Sequence, residues 1–167
     1  RVTENRALNG GGGISSLSEG GEIVISEGSV VSGNVAEHGN GGGVLVRGGS
    51  LLHVTSASVV SQNRAMKGVG GAVYLGAQCE FLMEDAAEIS ENAATRGGGV
   101  FALASFRLVA RDSFFGGNVA DSTGGAIVAL EFDLGSELTI DRCALWNNTA
   151  DAALGLSRQQ AVEQKNA

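Results

Sequence analysis

The tripeptide Asn-x-Ala returns six times along the chain, at Asn5, Asn34, Asn63, Asn92, Asn118 and Asn148, with spacings of 29, 29, 29, 26 and 30 residues. A repeat this short allows little besides a stack of similar units, because one unit alone cannot bury an apolar face. Other features keep the same phase. A Gly-Gly-small-aliphatic tetrad ends eight to ten residues after each of the first five asparagines, at Ile14, Val44, Val73, Val100 and Ile127. The sixth copy reads "TADAALGL" and lacks the paired glycines. An apolar residue stands three before each asparagine from the second copy onward: Val31, Val60, Ile89, Phe115 and Leu145. Between tetrad and asparagine lies an alternating stretch, carried by Ile23 and Ile25, Leu52 and Val54, Phe81 and Met83, Leu108 and Ala110, and Leu138 and Ile140.

Each period therefore reads as about three short strands joined by Gly, Ser, Asn and Asp corners, with no helical run. Stacking gives such units a continuous core and a continuous hydrogen-bond ladder. The pattern predicts an all-β chain, a single right-handed parallel β-helix of the pectate-lyase type with about five coils of 26–30 residues over residues 1–150. At ~4.8 Å between neighbouring strands the rod would be roughly 24 Å long. The segment 151–167, which ends in the polar, glycine-free "SRQQAVEQKNA", reads as a tail or a short helical cap.

The glycines are expected at the corners, where positive φ costs glycine nothing sterically. They come in pairs: Gly41 and Gly42, Gly70 and Gly71, Gly97 and Gly98, Gly124 and Gly125. The small third residue of the tetrad, Gly43, Ala72, Gly99 or Ala126, suits a corner where successive backbones approach. The six asparagines are expected to stack as a structural ladder, amide on amide, in the manner of other stacked sheets.

Composition narrows the function. Twenty-seven glycines without a Gly-X-Y period exclude collagen, and the aliphatic residues between them argue for a packed chain rather than a linker. A net charge of −7 with no basic cluster in the sequence argues against nucleic acid as a partner. No apolar run approaches the ~20 residues needed to span a bilayer. The chain opens on Arg1 without a signal-peptide h-region, which reads as a processed product or a piece of a longer array, and leaves open whether the parent is membrane-anchored. Cys79 and Cys143 fall two coils apart, beyond disulfide reach, and are expected as free, buried thiols.

The tetrads and asparagines together resemble the polymorphic outer-membrane protein repeat of chlamydial surface autotransporters, whose signature pairs GGA[ILV] with FxxN. "GGAV" at Gly70 to Val73, "GGAI" at Gly124 to Ile127 and "FGGN" at Phe115 to Asn118 match it literally. "VSGN", "VSQN", "ISEN" and "LWNN" are relaxed copies, and coverage runs from Asn5 to Ala150. The resemblance implies a parallel β-helix passenger-like module, extracellular or at the cell surface, and associated with the outer membrane if bacterial.

Parallel β-helices also carry polysaccharide lyases and hydrolases, whose chemistry would need a basic residue and an acidic cluster that holds calcium. Polar pairs follow the middle strand: Ser26-Glu27, Thr55-Ser56, Glu84-Asp85, Arg111-Asp112 and Asp141-Arg142. Stacking would bring Glu84, Asp85 and Asp112 close enough for weak surface cation binding, with Arg111 and Arg142 as partners for the acids. No other cofactor and no catalytic residue is assigned; His38 and His53 lie in different parts of different coils with no acid placed alike beside them. If Val44, Val73, Val100 and Ile127 point inward, Leu45, Tyr74, Phe101 and Val128 point outward as a stacked apolar stripe. That stripe is the expected face for a glycan or an extracellular protein. Asn147-Asn148-Thr149 is an N-glycosylation sequon, meaningful only in a eukaryotic secretory pathway. The expectation is a non-enzymatic adhesion or binding module, with a carbohydrate-active enzyme or a plain structural spacer as the alternatives.

Overall fold

The computed structural model describes residues 1–130 and 135–151. All regular structure among them is β, and every paired strand is parallel to its neighbour. Strands of one coil lie in different sheets, while equivalent strands of successive coils pair, so the chain winds as a parallel β-helix of about five turns. The expected tail or cap over 151–167 lies, apart from Asp151, outside the described residues.

Four sheets form the wall. Sheet I precedes the asparagines and stacks Val2–Thr3, Val30–Ser32, Val59–Ser61, Glu88–Ser90, Phe114–Gly116 and Ala144–Trp146. Sheet II follows them, with Arg6–Ala7, Val35–Ala36, Arg64–Val69, Ala93–Arg96, Val119–Thr123 and Thr149–Ala150. Sheet III leaves the tetrads as Ile14–Ser16, Val44–Val46, Val73–Leu75, Val100–Leu103 and Ile127–Leu130. Sheet IV holds the middle strands, Glu22–Ile25, Leu51–Val54, Glu80–Met83, Arg107–Arg111 and Glu137–Asp141.

Each coil thus has four strand segments rather than three. The extra one is sheet II, and its shortest members have two residues, too few for an apolar alternation to register in sequence. Its inward residue is the alanine of Asn-x-Ala: Ala36, Ala65, Ala94 and Ala120 are buried. The coil with the 26-residue spacing has a sheet II strand two residues shorter than that of the coil before, with a register shift between them. Thr95-Arg96 stands where the coil before has Met66 to Val69, and at the following corner Arg111 to Ser113 stands where it has Glu84 to Ala87.

The core is the column interior. Phe81, Phe106, Phe115, Leu52, Leu75 and Met83 are its largest fully buried side chains, and Val31, Val60 and Ile89 complete the sheet I contribution. The alternation proposed for sheets III and IV therefore holds on the inner side. Both cysteines are buried.

The paired glycines divide their work. Gly41, Gly70, Gly97 and Gly124 have φ between 61° and 70°, the left-handed region. Their successors are required by space: a Cβ on Gly71 would lie 2.2 Å from the Gly98 carbonyl oxygen and 2.7 Å from the Ala93 backbone. The expectation that positive φ belongs to glycine is corrected elsewhere. The residue before each asparagine is left-handed in all six copies, as Glu4, Gly33, Gln62, Glu91, Gly117 and Asn147. The corner after the middle strand is left-handed at Glu27, Ser56, Asp85, Asp112 and Arg142. The non-glycine side chains at these positions are exposed on the outer surface, and the ladder bonds of neighbouring coils hold the strained torsion.

Candidate functional site

The asparagines form an unbroken interior ladder. Nδ2 of Asn5, Asn34, Asn63, Asn92 and Asn118 each donates to Oδ1 of the next asparagine at 2.8–3.0 Å. The backbone N–H of the same residue donates to that oxygen as well, at 2.9–3.1 Å. The second Nδ2 hydrogen goes down the stack, from Asn34 to Val2, Asn63 to Val31, Asn92 to Val60, Asn118 to Ile89 and Asn148 to Phe115 carbonyls. Each interior amide therefore uses both donors and receives two bonds at its oxygen, which is what burial of a polar side chain demands. The small tetrad residue makes room for it: a Cβ on Gly43 would meet the Asn63 amide at 3.0 Å.

The outward stripe stacks in register, Leu45 on Tyr74, Tyr74 on Phe101 and Phe101 on Val128. The Tyr74 and Phe101 rings are parallel to within 7° with centroids 6.0 Å apart. It is not an exposed face, however, and this corrects the sequence expectation. The four residues are 4–8 % exposed and form a second apolar cluster outside the wall, with Val69, Leu103 and Leu130 packed against it. Two flanks close over it. Sheet II runs on as far as Val69 in one coil and Arg96 in the next, and the far ends of the sheet III strands supply Leu103 and Leu130. The Arg47 guanidinium carbon lies 5.4 Å from the Tyr74 centroid, and that of Arg96 lies 5.4 Å from the Phe101 centroid.

The acidic residues are engaged one by one. Arg142 grips Asp112 through two hydrogen bonds of 2.7 and 2.6 Å and reaches Asp141 at 2.6 Å. The Asp112 carboxyl is held below its usual range by that hydrogen-bonded guanidinium. Thr55 Oγ1 donates to Asp85 at 3.0 Å, and Glu84 Oε1 lies 2.9 Å from His53 Nε2. Glu84, Asp85 and Asp112 thus turn to three different partners, and no group of three metal-ligating side chains occurs among the described residues. On the outer face of sheet IV, Arg107 bridges Glu80 in the coil below and Glu137 in the coil above. The His53–Glu84 contact was missed in the sequence because the acid sits one coil on and two residues further along. The 29-residue register places Leu82, not Glu84, beside His53, and only outward alternation would have pointed two residues on.

No family model, no curated protein and no solved structure matches this chain. No helix among the described residues is long and apolar enough to cross a membrane.

Proposed function

We propose that the chain is a non-enzymatic β-helix module of a secreted or cell-surface protein, built from coils of the polymorphic outer-membrane protein type and used to hold binding faces in fixed register. The observation that carries this reading is the way ionisable side chains are spent on one another. Arg107 with Glu80 and Glu137, Arg142 with Asp112, and His53 with Glu84 tie neighbouring coils together. Side chains so engaged act as part of the scaffold rather than as acids and bases aimed at a substrate. The tetrads and asparagines that resemble the surface repeat family supply the extracellular setting.

A spacer role is the second reading, favoured by the burial of the outer stripe. Probing the purified chain on arrays of glycans and extracellular proteins, with polysaccharide cleavage read on the same samples, separates the readings. Saturable binding without cleavage supports the module. Cleavage overturns it, and silence in every channel leaves the spacer.

A further inference from the structure

Arg47 and Arg96 stand apart from the paired arginines. Arg6, Arg107 and Arg142 each have a carboxylate partner, whereas neither Arg47 nor Arg96 has one within ion-pairing distance among the described residues. Both are nevertheless held in place. Arg96 Nε donates to Thr123 Oγ1 at 3.2 Å while its guanidinium covers Phe101. Arg47 lies below Gly76, and a Cβ on that glycine would approach Arg47 Cγ to 3.1 Å. The missing side chain gives Arg47 the space to lie over Tyr74 one coil up. The two guanidiniums are thus fixed on opposite flanks of one ring stack, their charge unspent, with Lys67 on the adjoining surface of sheet II.

The geometry points to an anion-recognition strip for an acidic polysaccharide, in which Arg47 and Arg96 bind successive carboxylate or sulfate groups of one chain. This rests on the binding-module reading and names its ligand class. Guanidinium forks match planar carboxylates and sulfates through paired hydrogen bonds, and preordering by the rings lowers the entropy lost on binding. The rings are only 5–6 % exposed, so neutral sugars cannot stack on them and a protein partner finds no apolar anchor there. Single-stranded nucleic acid would likewise lack a base-stacking platform, since both rings are covered. A linear polymer that repeats its anion gains affinity from engaging both arginines at once.

The test measures binding of the whole chain to immobilised polygalacturonate, heparin, neutral dextran and a single-stranded oligonucleotide at physiological salt. Arg47→Gln/Arg96→Gln is compared with Arg1→Gln/Arg111→Gln, which removes the same charge elsewhere, and thermal melts confirm that both variants fold. The expected result is salt-sensitive binding to polygalacturonate or heparin but not dextran, weakened about tenfold or more in the first variant only. Preference for polygalacturonate or heparin tells carboxylate from sulfate. Equal loss in both variants, no loss in the first, or oligonucleotide binding as tight as polysaccharide binding overturns the inference. So does failure to bind either acidic chain. If neutral glycans or proteins on the arrays still bind, only this inference falls; silence there too removes the module reading with it.

Discussion

Asn92 shows how much a single side chain carries in this fold. Its oxygen accepts from the Asn63 amide and backbone, and its nitrogen donates to Asn118 and to the Val60 carbonyl, all without access to water. Asn92→Ala strands buried groups on both neighbouring coils, each costing ~1–3 kcal/mol. We expect a loss of about 3–5 kcal/mol, read as a lower urea midpoint with an unchanged slope. Asn148→Ala, at a partly exposed rung, is expected to cost clearly less; equal losses would remove the ladder from the account. Residues of this kind are the most legible in the sequence, since a buried polar group that must meet its own copy in the next coil returns at the period of the coil. The left-handed positions were not legible. Gln62 and Glu91 have φ of 55°, yet nothing in their chemistry calls for it, because stacking imposes the torsion and the outward side chain tolerates it.

At the scale of the strand, the informative element is Val73–Leu75. Its inner residues follow the alternation, but Tyr74 is buried as well, under side chains from two other segments. A strand apolar on both sides does not reveal from its own sequence whether the outer side meets solvent, a partner or its own flanks. Here the cover comes from Val69 and Arg96, where sheet II strands end, and from Arg47, the residue after the sheet III strand Val44–Val46. Tyr74→Ser is therefore expected to act as a core substitution, costing about 2–4 kcal/mol in urea unfolding. A change below about 0.5 kcal/mol would mean that the ring is an exposed contact after all. The corner after sheet IV gives a pH signature. Arg142 lowers the Asp112 carboxyl in the folded chain, so the stability it adds is present above the unfolded value near 3.8 and is lost as pH falls through the lower folded value. Arg142→Gln should lower the melting temperature slightly at neutral pH, and the gap from the unaltered chain should close on acidification below that range. A gap that widens in acid would contradict the pairing.

The molecule as a whole behaves as a one-dimensional stack in which each coil touches its neighbours, so a complete coil is the natural unit of change. Removing Asn34 to Gln62 deletes one 29-residue period and joins Gly33, already left-handed, to Asn63. The shortened chain should retain a β-type circular dichroism spectrum and a cooperative melt, while a deletion two residues shorter should lose both. Survival of the out-of-phase deletion would show that register is set by something other than the ladder. The legibility of the fold has the same origin: a period constant in the chain becomes a translation in space, and what escapes it are the unequal sheet II strands and the corners. The ladder has one more consequence. All its linking N–H groups point toward the C-terminal coil and all its accepting oxygens toward the N-terminal one. The side-chain dipoles therefore add along the axis instead of cancelling, and a coil laid down in reverse would set oxygen against oxygen, so electrical polarity guards the direction of winding as folding proceeds.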